Sequence, residues 1–131
     1  MLNKAMLIGR LGGDPEIRQT QSGTVVVSFN LATTERWTNK NGDRETRTEW
    51  HRVVAWDQLA QICEKYLTKG KLVYVEGPIR NRRWEDSDGN THRSTEIVAQ
   101  SLQMLDRSQI NDSKSLDSVP DTDVPLWRSD K

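Results

Sequence analysis

Apolar and polar residues alternate with a two-residue period through much of residues 1–105, interrupted by one apolar stripe of longer period. Two-residue alternation marks strands with one face buried, because successive side chains point to opposite faces. Lys4 to Leu11 reads as a first strand, ended by the turn signal Gly12-Gly13-Asp14-Pro15, and Glu16 to Gln19 continues it after a bend. Ser22-Gly23 then turns the chain into Thr24–Thr34. There Val25, Val27, Phe29 and Leu31 alternate with Val26, Ser28, Asn30 and Ala32, so the odd residues should face inward. Asn41-Gly42 marks a hairpin tip before a strand that runs through Trp50 to Trp56, and the polar stretch Thr38–Arg47 should project into solvent. Asp57 to Lys69 is the one expected helix, with Asp57 as N-cap, an apolar stripe of Leu59, Ile62, Tyr66 and Leu67, and Gly70 as its stop. Strands are expected at Lys71–Glu76, Ile79–Glu85 and Thr91–Ala99, with a break at Gly77-Pro78 and a second hairpin turn at Ser87-Asp88-Gly89-Asn90. Leu102, Met104 and Leu105 close the ordered part.

Three strands, a helix, and further strands with two long hairpins predict an all-β fold. The architecture that fits is a five-stranded barrel of the oligonucleotide/oligosaccharide-binding (OB) type, with its helix between strands 3 and 4. From Asp106 onward the periodicity stops, and serine, aspartate and asparagine dominate. Such a segment buries too little apolar surface to order itself. The chain therefore divides into a domain, 1–105, and a disordered C-terminal tail, 106–131, which carries a short apolar cluster near its end.

Trp37, Trp50, Trp56 and Trp84 each lie within four residues of an arginine in these strand-like stretches. On the strand Thr48-Glu49-Trp50-His51-Arg52-Val53-Val54-Ala55-Trp56, alternation places Trp50, Arg52, Val54 and Trp56 on one face. Two flat indoles around a guanidinium suit stacking against nucleobases while phosphate is neutralised. The competing reading makes each tryptophan a large core residue with a satisfied indole N–H, and the opposite face, Glu49, His51, Val53 and Ala55, is apolar only towards its end. Repetition favours binding, since aromatic-beside-basic recurs as Arg36-Trp37, Trp50-His51-Arg52 and Arg82-Arg83-Trp84.

Charge adds little to this. The 19 basic and 19 acidic residues balance, with 15 against 13 over residues 1–105 and 4 against 6 over residues 106–131. Any electrostatic footprint must be local. Cys63 stands alone in an apolar helical stretch, so a disulfide framework is excluded and a small buried hydrophobe is expected. With only His51 and His92 there is no zinc spacing, and no cofactor is expected. No Ser-His-Asp or Cys-His pairing has supporting context, no Gly-rich phosphate loop precedes a helix, and Glu85-Asp86 falls at a solvated hairpin, so no catalytic residue is expected and the protein is read as a non-enzyme. No signal peptide, transit peptide or membrane span is apparent, which predicts a soluble intracellular protein with no membrane partner. Three alternatives stay open: an interaction adaptor on the same barrel, an RNA-binding OB protein, and a nuclease, which would need clustered acids for metal.

Residues 1–105 closely resemble the bacterial-type single-stranded DNA-binding proteins. The matching stretches are Asn3-Lys4 with Leu7–Gly12, Asp14–Arg18, Ser28–Thr33 running on to Trp37, and Thr48–Val54. Glu64–Leu67 with Lys69-Gly70, Val73–Gly77, Arg80–Trp84 and Thr95–Ala99 complete the set. The resemblance implies an OB domain that assembles as a homotetramer and wraps single-stranded DNA, in the bacterial cytoplasm at the nucleoid, during replication, recombination and repair. It implies base stacking on Trp37, Trp50 and Trp56, where relatives often have phenylalanine, with Trp84 nearby. It implies phosphate contacts from Lys4, Arg10, Lys40, Arg52, Lys69, Arg80, Arg82 and Arg83; Gln58 replaces a lysine common in relatives. His51 is implied to pack or to touch a neighbouring subunit. Relatives end in acids, a hydrophobic, a proline and a terminal phenylalanine that dock replication and repair proteins. Here Asp121, Asp123, Val124, Pro125 and Leu126 resemble that tip with leucine for phenylalanine. Five residues follow, including Trp127 as an alternative anchor.

Overall fold

A computed structural model describes residues 1–106. The tail calls at Asp121, Asp123, Val124, Pro125, Leu126 and Trp127 lie outside the described residues, as does the disorder expected there. Eight strands and one helix follow in the order β1 (Ala5–Leu11), β2 (Glu16–Gln19), β3 (Val25–Thr38), β4 (Arg44–Trp56), α1 (Asp57–Tyr66), β5 (Leu72–Gly77), β6 (Ile79–Glu85), β7 (Thr91–Val98) and β8 (Ser101–Met104).

The strands form one curled sheet in the order β6-β7-β4-β3-β1-β5-β8, and β2 pairs with β3. Only β4 and β7 run parallel among the pairs. The sheet curls until its far parts meet: Gln100 N donates to Glu76 O at 2.9 Å and Val98 N to Pro78 O at 3.0 Å. Gly77 lets the two backbones approach there, because a Cβ on it would lie 1.8 Å from the Val98 carbonyl oxygen. The five barrel strands are thus β1, β3, β4, β5 and β7, with α1 after the third of them, as expected for an OB fold.

The core lies inside the curl. Leu11, Val27, Phe29, Leu31, Val53, Ala55, Val73, Val75 and Ile97 are buried there, and Ala60, Cys63 and Leu67 bring α1 onto it. The odd-inward reading of β3 holds. Burying these side chains supplies the apolar area that drives folding. Cys63 behaves as the expected small hydrophobe, and burial pushes its thiol up to about 11.

Four local expectations are corrected. Residues Glu16–Gln19 do not prolong β1; they turn back to pair with β3 through Ile17↔Val27 and its neighbours. Both strands of the first hairpin run further than their apolar pattern, to Thr38 and from Arg44, because the thirteen consecutive cross-strand pairs that begin over the core continue past it to Thr38↔Arg44. The helix ends at Tyr66 rather than Lys69, and its inward side is Ala60 and Cys63 with Leu59 packed beside them, whereas Ile62 and Tyr66 are exposed. Asp57 is no side-chain cap. Trp56 holds the cap position with extended backbone, and Asp57 takes the left-handed φ of 58°, which an aspartate tolerates. That sharp turn ends β4 with Trp56 still on its outer face.

Candidate nucleic-acid interface

Register decides which residues share the outer face. Along β4, Val53 and Ala55 are buried, so Trp50, Arg52, Val54 and Trp56 point out of the barrel. Trp50 is 61% exposed and Trp56 44%. Such exposure for indoles on a strand beside a full core sets aside the reading of these two as core residues. The pairs Arg10↔Ala32 and Ala32↔Trp50 put Arg10 in the same cross-strand row as Trp50. A longer row runs Arg80, Glu96, Arg52, Asn30 across β6, β7, β4 and β3. The same alternation gives Arg82 and Trp84 to this face.

Around Arg52 and Glu96 this face sinks into a trough of about 410 Å³, lined also by Arg18, Val26, Val54, Trp56 and Arg82. Val54 and Ser28 form its closed floor, both buried. Cations stand on its walls. Arg52 Nε donates to Glu96 Oε2 at 3.1 Å, and Arg82 Nη1 lies 3.9 Å from the same oxygen. The Trp50 ring leans over Gly12, so close that a Cβ on that glycine would fall 2.4 Å from the ring.

Trp84, 39% exposed, stands differently. His92, its cross-strand partner, stacks on it with ring centroids 5.4 Å apart at 25°, and the Arg82 guanidinium lies 5.1 Å from its ring centre. His92 Nε2 is 2.6 Å from Asp86 Oδ2, and this bond, then the Asn90 backbone N–H, holds the Asp86 carboxyl below its ordinary range. The two hairpin turns are built alike. Asn39 Oδ1 accepts from the N–H groups of Asn41 and Asp43, and Asp86 Oδ1 from those of Asp88 and Asn90, all at 2.9 Å. Gly42 and Gly89 supply the left-handed residue, with φ of 85° and 82°.

The remaining expected site residues are dispersed. Trp37, 41% exposed, pairs with Glu45 and has the parity of Leu31 and Phe29. It therefore lies on the projecting hairpin's other face from Trp50. Lys40 sits in that hairpin's turn. Arg83 pairs with Arg93 on the side of β6–β7 away from Trp84. Lys4 lies 2.6 Å from Glu76, which also accepts from the Tyr74 hydroxyl; Lys4, then Tyr74, lowers the Glu76 carboxyl. That cluster belongs to β1 and β5, apart from the tryptophans. Lys69 follows α1, its backbone N–H bonded to Asp14 at 2.8 Å, and Arg10 reaches the neighbouring Gly70 carbonyl at 2.9 Å. Lys40, Lys69, Arg80 and Arg83 form no ion pair among the described residues. His51 faces away from Trp50, as expected, with Nε2 2.9 Å from Thr33 Oγ1.

Sequence reasoning missed Glu96 and Arg18. Glu96 is 7% exposed, a buried acid at the centre of a cationic face. Its only sequence signal was a carboxylate on the outward parity of a strand that ends in Ile97-Val98-Ala99.

Residues 2–105 match the model of the single-strand binding protein family. Single-stranded DNA-binding protein 1 of Chlorobaculum tepidum is 53% identical over 105 residues, covering 79% of this chain and 65% of the relative. Single-stranded DNA-binding protein 1 of Xylella fastidiosa is 50% identical over 111 residues, covering 84% and 82%. The single-stranded DNA-binding protein of Neisseria meningitidis is 47% identical over 104 residues, covering 79% and 60%. The chain thus spans less than two thirds of the first and third relatives' length. A solved structure described as a Plasmodium falciparum SSB complex with ssDNA superposes with a TM-score of 0.74 at 39% identity, over 81% of this chain and 97% of that one. The chain belongs to the single-strand binding protein family.

Proposed function

We propose that this chain binds single-stranded DNA without regard to base sequence, and that it does so by stacking bases on Trp50 and Trp56 while Arg52, Arg82, Arg80 and Arg10 neutralise phosphates. The observation that carries this reading is the pair of exposed indoles flanking Arg52 on one strand face above a buried core. The named relatives and the solved complex support the choice of ligand. Each stacked base contributes roughly 1–3 kcal/mol, and sequence is ignored because every base has a π-face. Phosphate contacts release counterions, so affinity falls with salt at a slope of about −0.7 per phosphate neutralised. Duplex DNA binds poorly, since its bases are already stacked on one another.

Trp37 and Lys40 on the first hairpin, with Trp84 and Arg83 on the second, extend the path beyond the barrel as the two arms project. Lys69, near Arg10, continues it on the other side, and Lys4 becomes available only where DNA outcompetes Glu76. The domain, 1–105, assembles as a homotetramer; the exposed apolar Met6 and Ile8 on the outer side of β1 support this. The tail, 106–131, recruits replication and repair proteins through Asp121, Asp123, Val124, Pro125, Leu126 and Trp127. Covalent chemistry has no part in this reading, which makes the protein a binder and not an enzyme.

Titration of intrinsic tryptophan fluorescence with oligo-dT at low and high salt, beside a matched RNA oligomer, tests the binding mode. Strong saturable quenching that weakens with salt and favours DNA is expected; a folded domain without quenching would refute it. Sedimentation measures the assembly, and a single 15.1 kDa species would remove the tetramer. Deleting residues 107–131 is expected to leave oligo-dT affinity intact or slightly higher, because the removed segment is net acidic.

A further inference from the structure

A carboxylate with a side chain only 10% exposed, in the middle of a face that should attract polyanions, opposes that attraction. Burial of an acid is tolerated where partners compensate it, and the structure shows what Glu96 compensates. Its row places Arg52 on one side and Arg80 on the other. Its Oε2 accepts from Arg52 Nε at 3.1 Å and lies 3.9 Å from Arg82 Nη1. Arg52 itself sits two residues from Trp50 and four from Trp56 on the same strand face. An untethered arginine there would fold over an indole face, where a cation is attracted by the ring, and would occupy the surface a base needs. Among the described residues no guanidinium covers Trp50 or Trp56; the one that lies over an indole is Arg82, over Trp84.

We propose that Glu96 is a positioning residue: it draws Arg52 and Arg82 together over β7, keeping the indoles of Trp50 and Trp56 open and fixing two guanidinium groups on the path of the phosphates. The inference rests on the single-strand-binding reading above. Glu96 offsets one positive charge and in exchange removes the ordering cost that two long side chains would otherwise incur when DNA arrives. Charge and order therefore act in opposite directions, and salt separates them. Low salt favours the extra net cation of a Glu96→Gln variant, whereas high salt screens it and exposes the loss of order.

The test is oligo-dT affinity across a salt series for the full chain, Glu96→Gln and Glu96→Asp, each also in an Arg52→Gln/Arg82→Gln background, with thermal melts alongside. Wild-type failure to bind would sink the function itself; differences between variants address Glu96 alone. Glu96→Gln is expected to steepen the salt slope by about 0.7 and to weaken high-salt binding roughly tenfold, the ordering of two arginines. The high-salt loss should vanish in the double-arginine background. Glu96→Asp, which keeps the charge but shortens its reach, should weaken binding at an unchanged slope. Glu96→Gln binding more tightly than wild type at every salt concentration would make Glu96 a mere opposing charge. Unchanged affinity with a lowered melting temperature, or failure of both variants to fold, would make it a residue of the fold alone; each of these overturns the proposal.

Discussion

Gly12→Ala probes the tryptophan face without touching a tryptophan. A Cβ on Gly12 would meet Trp50 Cζ3 at 2.4 Å and Cη2 at 2.8 Å, while ordinary contact begins at 3.4 Å. The ring edge must retreat by about 1 Å. It is free to do so, because the atoms in the way are the far end of an exposed side chain. The backbone should not object, since Gly12 lies outside the left-handed region and its N–H bond to Asn30 O at 2.9 Å is unaffected by a methyl group. Holding the indole about 30° from its rotamer costs roughly 0.5–1.5 kcal/mol, and DNA must meet that cost to recover the stacked pose. Dissociation constants for oligo-dT should therefore rise about 2- to 12-fold. The ceiling is set by Trp50→Ala, about 1–3 kcal/mol or 5- to 140-fold. The assay is fluorescence anisotropy of a labelled dT oligomer with a melt of each variant. In a Trp50→Ala background the alanine should cost nothing more. Gly12→Ala that lowers the melting temperature while affinity stays put, or that still weakens binding without Trp50, refutes the stacking geometry.

Trp84→Ala should weaken oligo-dT binding less than Trp50→Ala, since His92 and Arg82 already contact its ring; an equal or larger loss in the same titration would show that DNA displaces them. Gly77→Ala should destabilise the domain by about 3 kcal/mol or more, because its methyl would meet the Val98 backbone carbonyl at the barrel seam; a denaturant melt near wild type would contradict the close approach. Cys63 has its thiol pushed from an ordinary 9.0 up to about 11 by burial, so the unfolded chain ionises first and stability should fall as pH rises from 9.0 towards 11. Cys63→Ala should flatten that part of the profile, and an unaltered fall would assign it to other groups.

Local alternation reduced β4 to two possible faces but did not choose between them, because Glu49 and His51 share the face of Val53 and Ala55; the recurrence of aromatic beside basic residues pointed to the outward set. It failed where the chain leaves the barrel. Residues 35–38 are polar apart from Trp37, so their pattern does not carry the alternation on. The strand persists there because each residue has a partner on β4. Had β3 been carried through to Thr38, its own odd-inward rule would have placed Trp37 opposite Trp50. The stripe read for helix α1 holds at Leu59 and Leu67 and fails at Ile62 and Tyr66. Periodicity ranks large side chains, but the helix sits so close to β3 and β4 that small residues, Ala60 and Cys63, face the core. Glu96 was least legible. Arg82 lies 14 positions away across a hairpin whose turn was legible, but Arg52 lies 44 positions away and is joined to it by a parallel pairing that no local pattern announces. A residue whose role is to hold others has the chemistry of the wrong sign for the ligand, so a search for cations and aromatics passes over it. That opposite sign is what makes Glu96 testable, because a salt series resolves its charge from its grip.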